Sequence, residues 1–449
     1  MKTIPKLAFA HYMMCNRSYG GSVAGYKIDV CHAKSIGLDG FALNTGGWND
    51  SNYKHDIATM FEAAQAISPD GSFKLFFSAD MTGLSFPETV LMMQAYASHP
   101  NYLRVEDKIS ELETEWRPVL SSWGGEGGGW AAAKSNWQTL VLDPLKAVGI
   151  HVFFVPFFFT VSEDGKSYYT PPTSDQTQAQ IDNMLKGLVD GVLYGESIDC
   201  PGLAQNASNE SFASQVKAAG LLTMAFVSPS YWGSRQISAG RRFMDHRGGE
   251  GLALQMESIV ANQNPDWIEL FTWNDFDEHS YFSPIDDVNN YWAELANKSL
   301  GFYHSHAGFW RLMRYLILRW KTGVFPVIKH DVLMYFYRTQ DANLVPSADS
   351  FGPVTWRTTD DNSLVENILY VTCLLAAPAT LTLRNWDGGI QSVDLAAGLV
   401  HARFNIYWGG TFLDLVRNGS VVLTSATCGI DHTATEANFG MFTGYAEVT

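Results

Sequence analysis

The sequence predicts an α/β protein in which a (β/α)8 TIM barrel is followed by a C-terminal antiparallel β-sandwich. Eight short apolar runs recur along the chain, segments with helical spacing lie between several of them, and the pattern changes after about residue 330. Strands that are apolar on both faces and alternate with helices are typical of parallel βα units, and eight such units predict a closed barrel. We therefore expect a catalytic barrel over residues 1–330 and an accessory sandwich over residues 331–449.

Each predicted strand is a short apolar run that ends in polar or glycine-rich residues. In chain order the runs are KLAFAHYMM from Lys6, LDGFALNTGG from Leu38, FKLFFSADM from Phe73, RPVLSSWGGE from Arg117, HVFFVPFFF from His151, VDGVLYGES from Val189, LLTMAFVSPS from Leu221 and DWIELFTWND from Asp266.

The predicted helices have apolar residues spaced three and four apart. They cover residues 26–37, 53–67 and 251–263, and a last helix over residues 302–323 closes the barrel, with a glycine at the end of the first and last of them.

After residue 330, alternating runs such as NILYVTCLL, ATLTLRN and GSVVLTS are separated by Asp-Gly and Asn-Gly turns, which predicts antiparallel strands. Cys373 and Cys428 both fall here. The sequence leaves open a bond between them or two buried free thiols.

The composition restricts the partner. A formal net charge of −16 argues against nucleic acid and anionic membranes, which bind clustered Lys and Arg, and favours a neutral ligand. Fourteen Trp and nineteen Tyr fit a sugar ligand, although we expect most single rings to be core. No apolar run is long enough to span a membrane. The N-terminus MKTIPKLAFA lacks the apolar segment of a secretory signal, so we expect an intracellular protein or a mature form numbered after processing.

Active sites of such barrels lie at the C-terminal ends of the strands, so the strand tails supply the candidate residues. They combine acids, amides and aromatic rings, as in a sugar-binding cleft. The tails contribute His11, Tyr12, Asn44, Asp80, Trp123, Glu126, Tyr194, Glu196, Ser228, Tyr231, Trp232, Trp273, Asn274, Asp275, Glu278, His279 and Tyr281.

Two carboxylates offer the best chemistry, because glycoside hydrolysis requires such a pair. Asp275 and Glu278 are three residues apart and would point to opposite faces of a continuous strand, so the chain must turn at Phe276-Asp277. A metal site competes poorly: His304-Ser-His306 begins the last helix, where capping or a packed imidazole is the better interpretation. A nucleophilic serine lacks its G-x-S-x-G motif.

The sequence resembles glycoside hydrolase family 71, the α-1,3-glucanases or mutanases. The blocks FAHYMM, GLDGFALN, FKLFFSADM, PVLSSWGGE, VDG, SPSYW, FTWNDFDEHSY and KTGVFPVIKHD occur in the family's order over nearly the whole chain. The resemblance implies an inverting hydrolase of α-1,3-glucan, a fungal wall polymer. The family's catalytic acids lie in TWND-x-x-E, which carries over to Asp275 and Glu278. We expect an endo-acting monomer without cofactor, secreted or associated with the cell wall.

Two departures from the family pattern stand out. Members commonly read WND-Tyr-Gly-Glu-Ser-His, whereas here Asp277 replaces the glycine and His279-Ser280 reverses the last two residues. VLYGES replaces a tryptophan-rich piece after VDG, so the subsites beside Tyr194 and Glu196 are expected to differ.

We interpret Glu278 as the general acid and Asp275 as the general base, with Asn274 and His279 positioning water and acid. Inversion predicts carboxyl groups roughly 6.5–9.5 Å apart, against about 5–5.5 Å for retention. Three alternatives stay open: a glycosidase of another α-linked glycan such as a mannan, an inactive carbohydrate-binding barrel, and a metallohydrolase.

Overall fold

The computed structural model describes residues 5–108, 114–159, 173–195, 203–233, 241–284, 304–345, 354–359, 367–406, 409–427 and 429–448. These residues form two compact units. Unit 1 holds the described residues within Met1–Glu196, Gln205–Val227 and Ser258–Asn274. Unit 2 holds those within Ser197–Ala204, Ser228–Glu257 and Asp275–Thr449, so it includes chain segments that precede residue 330.

The strands are numbered in chain order. They are β1 (Leu7–Met13), β2 (Gly40–Thr45), β3 (Lys74–Asp80), β4 (Arg104–Lys108), β5 (Thr114–Trp123), β6 (Phe153–Phe154), β7 (Gly191–Tyr194), β8 (Leu222–Val227), β9 (Tyr231–Trp232), β10 (Arg241–Asp245), β11 (Trp267–Leu270), β12 (Val332–Arg338), β13 (Val354–Thr359), β14 (Ile368–Leu375), β15 (Ala379–Asn385), β16 (Ile390–Leu395), β17 (Gly398–Asn405), β18 (Thr411–Arg417), β19 (Ser420–Thr427) and β20 (Met441–Glu447).

The helices follow the same convention. They are α1 (Val23–Ser35), α2 (Ser51–Ile67), α3 (Phe86–Tyr96), α4 (Trp130–Trp137), α5 (Asp143–Ala147), α6 (Ser174–Gln180), α7 (Leu203–Ala218), α8 (Gly249–Ser258) and α9 (Ala307–Thr322), with π-helical turns at Gln138–Leu142, Ile181–Leu185 and Ile259–Gln263. Every helix in the described ranges is too short or too polar to cross a bilayer.

Unit 1 is built on a curled parallel sheet with the strand order β4-β5-β3-β2-β1-β11-β8-β7, and β6 pairs with β5. The eight predicted strands are all present and pair in parallel, while β4 is an additional strand antiparallel to β5. Two backbone hydrogen bonds join the segments of β6 and β7. The N–H of Asp190 donates to the carbonyl of Phe154, and that of Leu193 to Pro156, both at 2.9 Å.

Side-chain caps set where the helices of unit 1 begin. The Ser22 side chain accepts from the N–H of Gly25, so α1 begins at Val23 rather than at the predicted residue 26. Asp50 caps α2 in the same way and moves its start to Ser51. The last predicted helix corresponds to α9 of unit 2, which begins only at Ala307 and ends at Thr322, where Gly323 follows with φ 73°.

Unit 2 contains two four-stranded antiparallel sheets, with orders β17-β14-β12-β20 and β16-β15-β18-β19, and a small sheet β13-β10-β9. The two larger sheets share one hydrophobic core, to which Leu333 and Val371 contribute from the first sheet and Leu381 and Leu413 from the second. The C-terminal antiparallel sheets are thus confirmed. Cys373 is a buried free thiol whose pKa burial raises to about 12, and Cys428 lies outside the described residues.

Candidate active site

A buried imidazole–carboxylate pair lies inside the sheet of unit 1. His11 Nδ1 is 2.7 Å from Glu269 Oε1, and the two side chains are 1% and 0% exposed. The neighbouring strands β1 and β11 bring them together, since Phe9 lies opposite Glu269 in the ladder. A buried carboxylate requires a partner, and His11 provides one for Glu269. Glu269 is not among the residues predicted from the sequence, although a single acid within the apolar run WIELF was a visible signal.

Tyr12 and Trp273 have a different position from His11. The Tyr12 hydroxyl donates to Asp29 of α1 at 2.9 Å, and the indole N–H of Trp273 donates to the same carboxylate at 2.8 Å. All three side chains are fully buried, and burial, reinforced by Asp29, raises the pKa of Tyr12 well above its ordinary value. Successive strand residues point to opposite faces, so Tyr12 cannot share a side with His11. Tyr12 and Trp273 attach the sheet to its helical layer.

Asn274 connects the end of β1 to the segment after β11. Its amide oxygen accepts from the N–H of Met13 at 2.7 Å, and its amide N–H groups donate to the carbonyls of Met13, at 3.0 Å, and of Asn16. Asn274 is completely buried. These bonds use its hydrogen-bonding capacity within the protein, so the residue fixes the backbone immediately before Asp275.

The tail of β5 carries Trp123, which is partly exposed. Its ring stacks against Phe157 and Phe271, with centroids 4.5 Å and 5.0 Å away. The His11 ring lies 4.6 Å from that of Phe271, so the imidazole and the indole belong to one aromatic cluster.

Glu126 follows Trp123 by three residues and is buried, and burial raises the pKa of its carboxyl to about 7. Its charge state therefore changes near neutral pH.

The remaining predicted residues of unit 1 that the structure describes lie at the ends of three other strands, β2, β3 and β7. Asp80 is partly exposed, and its carboxylate accepts from the N–H and hydroxyl of Thr82 at 3.1 Å and 2.6 Å, which shapes the turn after β3. Asn44 is buried at the end of β2. The Tyr194 hydroxyl donates to Gln263 at 2.9 Å, and burial raises the pKa of Tyr194. Glu196 lies outside the described residues.

In unit 2 the chain turns at residues 276–279, as predicted for Phe276-Asp277. The N–H of His279 donates to the carbonyl of Phe276 at 3.1 Å, and the N–H of Glu278 donates to Asp275 Oδ1 at 3.3 Å. Asp275, Asp277 and Glu278 are partly exposed, whereas the residues around them are buried. The turn thus presents three carboxyl groups from an otherwise buried segment.

The segment from Ser228 to Trp232 supports this turn from within unit 2. The backbone N–H of Trp232 donates to the carbonyl of Glu278 at 2.8 Å, and the Ser230 hydroxyl donates to that of His279 at 3.1 Å. Trp232 is fully buried with Phe243 and Phe439 in a small core. Tyr231 is buried, and so is Ser228, whose N–H donates to Gln255 at 3.0 Å.

A histidine cluster, formed by His279, His304 and His306, lies beside the turn. Tyr281 stacks on His306 at 3.8 Å and donates its hydroxyl to the His304 carbonyl at 2.5 Å. His306 Nδ1 and Nε2 lie 2.6 Å and 3.1 Å from the carbonyl oxygens of Tyr281 and Met441. This confirms the packed imidazole predicted for His306.

Burial dominates the charge state of the histidine cluster. Burial lowers the pKa of His304 to about 4 and that of His306 to about 3, although two carbonyls beside His306 favour its protonated form. Burial, together with the other two imidazoles, lowers the pKa of His279 well below its ordinary value. A neutral His279 holds no imidazolium proton to donate at neutral pH, which argues against a role as general acid.

Comparison with known proteins gives one family and several distant relatives. Glycosyl hydrolase family 71 matches residues 4–448. A glucan endo-1,3-alpha-glucosidase of Schizosaccharomyces pombe is 25% identical over 360 residues, which cover 77% of this chain and 73% of the relative. A mutanase of Penicillium rubens is 26% identical over 456 aligned residues, 98% of this chain and 88% of the relative. Among solved structures, a GH99 endo-alpha-mannosidase from Bacteroides thetaiotaomicron aligns with a TM-score of 0.49 and 13% identity, over 71% of this chain and 98% of that one.

Proposed function

The chain belongs to glycosyl hydrolase family 71 and is a glycoside hydrolase; from this premise we propose that it is an endo-acting enzyme that cleaves α-1,3-glucan with inversion. The choice of α-1,3-glucan as the substrate is supported by the family match over residues 4–448. Two relatives, named as a glucan endo-1,3-alpha-glucosidase and a mutanase, support it as well. The net charge of −16 suits a neutral polysaccharide better than an anionic partner.

Asp275 and Glu278 are the proposed catalytic pair. Glu278 protonates the glycosidic oxygen, and Asp275 removes a proton from the attacking water on the opposite face of the sugar. The turn supports this assignment because it leaves both carboxyl groups partly exposed within a buried segment. One oxygen of Asp275 accepts the N–H of Glu278, which fixes the orientation of the base. Asp277 lies on the same turn and has no assigned step.

We divide the predicted substrate-binding residues into two groups, those that contact the glycan and those whose polar atoms bond within the protein. We assign glycan contacts in unit 1 to His11, Asn44, Asp80, Trp123 and Glu126. Glu269 positions His11, because it holds Nδ1 and thereby selects the nitrogen that is left for a ligand. We assign scaffold roles to Tyr12, Tyr194, Trp232, Trp273, Asn274, His279 and Tyr281. Ser228, Tyr231 and Glu196 stay predictions.

We extend the proposal to the architecture. The parallel sheet of unit 1 is a closed (β/α)8 barrel, supported by the hydrogen bonds from Asp190 and Leu193 to the β6 segment. The two large antiparallel sheets of unit 2 are a β-sandwich, supported by their common core. The boundary at residue 330, a monomeric state and a location outside the cell or in its wall stay proposals of the same kind.

A substrate panel tests the proposed function. The wild-type protein is incubated with insoluble α-1,3-glucan, with α-1,4- and α-1,6-glucans and with α-mannan, and new reducing ends are measured. We expect release from α-1,3-glucan alone. New reducing ends from α-mannan alone would show that the substrate is a mannan. Binding of α-1,3-glucan without new reducing ends would indicate a carbohydrate-binding barrel. Loss of activity with a chelator would indicate a metallohydrolase.

A further inference from the structure

A rigid turn after β5 holds Glu126. Gly124 and Gly125 have φ values of 75° and 102°, which side-chain-bearing residues rarely adopt. The indole N–H of Trp137 donates to the Gly125 carbonyl at 3.0 Å, and the Ser122 hydroxyl donates to the Gly124 carbonyl at 2.9 Å. A Cβ at Gly125 would lie 2.7 Å from the Trp137 ring. The position of Glu126 is therefore set by close packing around the turn.

The Glu126 carboxyl is buried, and one of its two oxygens lacks a partner among the described residues. The residue is 9% exposed, and Oε2 has no hydrogen-bond partner among the residues that the structure describes. Burial raises the pKa of the carboxyl to about 7 against the opposing effect of the backbone N–H groups of Glu126 and Phe159, and no charged side chain in the described part of the chain contributes to the shift. Burying a carboxylate charge with one oxygen unpartnered is costly, so the uncharged form is favoured.

Asp29, a structural buried carboxylate of unit 1, shows the contrast. Its Oδ1 accepts from Trp273 and its Oδ2 from Tyr12, so both oxygens are satisfied within the protein. The Glu126 side chain is buried, as a structural carboxylate would be, but its Oε2 accepts no hydrogen bond from the described residues. A group that is held rigidly and left unsatisfied at the end of a sheet strand is suited to a ligand.

We propose that Glu126 contacts the glycan as an uncharged carboxylic acid, which donates a hydrogen bond to a sugar oxygen. The inference rests on the proposed hydrolysis of α-1,3-glucan and adds the form in which this residue binds the sugar. A neutral donor suits a neutral sugar, because no unpaired charge is buried when the substrate excludes water. Glu126 binds the glycan and takes no part in the proton transfers, which the proposed function assigns to Asp275 and Glu278.

The first test follows the carboxyl itself and needs no substrate. Folding raises the pKa of Glu126 from near 4.5 to about 7, so the native state holds a proton that the unfolded chain has lost. The resulting contribution to stability is present below pH about 4.5 and is lost as pH rises to about 7. Glu126→Gln should therefore gain Tm relative to wild type over this window. Glu62→Gln, which removes an exposed acid on α2, should show no such trend.

The second test measures the contact. Glu126→Gln keeps a neutral donor, so its KM for a soluble α-1,3-glucan oligosaccharide should stay within about twofold of wild type. Glu126→Leu removes the donor, and its KM should rise about tenfold with little change in kcat, as expected for one lost neutral hydrogen bond. Co-sedimentation with insoluble α-1,3-glucan should weaken in the same order.

The outcomes separate the two proposals. Wild type that binds α-1,3-glucan without cleaving it refutes the proposed function alone, because the two Glu126 variants can still be ranked by binding. Wild type that does neither overturns both. An unchanged KM and binding in Glu126→Leu, a KM in Glu126→Gln as high as in Glu126→Leu, or a Tm difference that does not change with pH would overturn the inference about Glu126. A loss of kcat by orders of magnitude in Glu126→Gln would make it a proton-transfer residue and would also overturn the inference.

Discussion

Asp275 and Glu278 are the proposed general base and general acid. Replacing either carboxyl with an amide should therefore nearly abolish activity. A positioned general acid or base contributes about 10²- to 10⁴-fold to rate. We expect Asp275→Asn and Glu278→Gln each to lower kcat on α-1,3-glucan by about that factor. Their Tm values should equal or exceed that of wild type, since removing one of several nearby like charges relieves repulsion.

Asp277 provides the matched control for this pair. It is a carboxyl on the same turn and is likewise partly exposed, but it is glycine in the family pattern. Asp277→Gly should keep most of the activity. Near-wild-type kcat in Glu278→Gln, or a loss in Asp277→Gly as large as in Asp275→Asn, would refute the assignment.

At the scale of single residues, the sequence predicted which strand ends carry polar side chains. It predicted less well the direction in which each of those side chains points. His11 and Tyr12 were predicted to share one cleft, but adjacent strand residues face opposite ways and Tyr12 binds Asp29. The partner of Trp273 is the same Asp29, 244 residues away along the chain. No local pattern encodes such a long-range contact, and the same holds for the pairing of His11 with Glu269.

Among the elements, the histidine cluster predicts acid sensitivity of unit 2. Burial lowers the pKa of His304 to about 4, so below pH about 6.5 the unfolded chain gains a proton that the native state does not accept. The stability from the neutral imidazole is complete above that pH and is lost as pH falls towards 4. At pH 4.5 the loss is about 2–3 kcal/mol.

Thermal melts at pH 7 and pH 4.5 check this prediction. His304→Gln should show a smaller fall in Tm between the two pH values than wild type, by several degrees. His55→Gln, which changes an exposed histidine on α2, should fall as wild type does. A fall in His304→Gln equal to that of wild type would contradict the lowered pKa and the neutral state of this imidazole.

The elements were predictable where the pattern was apolar and periodic. All eight short runs became strands, since a parallel sheet covered on both faces needs continuous apolar segments. β4 was not predicted because its sequence, RVEDK, is mostly charged. It pairs with the N-terminal half of β5, where exposed and half-buried residues alternate. The helix starts shifted by two or three residues because caps at Ser22 and Asp50, not the periodicity, determine them.

For the whole molecule, the change of pattern near residue 330 predicted the C-terminal antiparallel sheets. It did not predict that Ser228–Glu257 would group with them in unit 2. That grouping includes the sheet β13-β10-β9, which combines strands more than 100 residues apart along the chain. Pairing at such separation depends on tertiary packing, which local periodicity does not report.

The measurement that tests the central claim most directly is ¹H NMR of fresh product from α-1,3-glucan and the wild-type protein. An inverting enzyme whose base, Asp275, activates water should release β-configured reducing ends before mutarotation. If α-configured ends appear first, Asp275 is a nucleophile and the enzyme retains configuration. If no reducing ends appear, α-1,3-glucan is not the substrate, and either result would contradict the account.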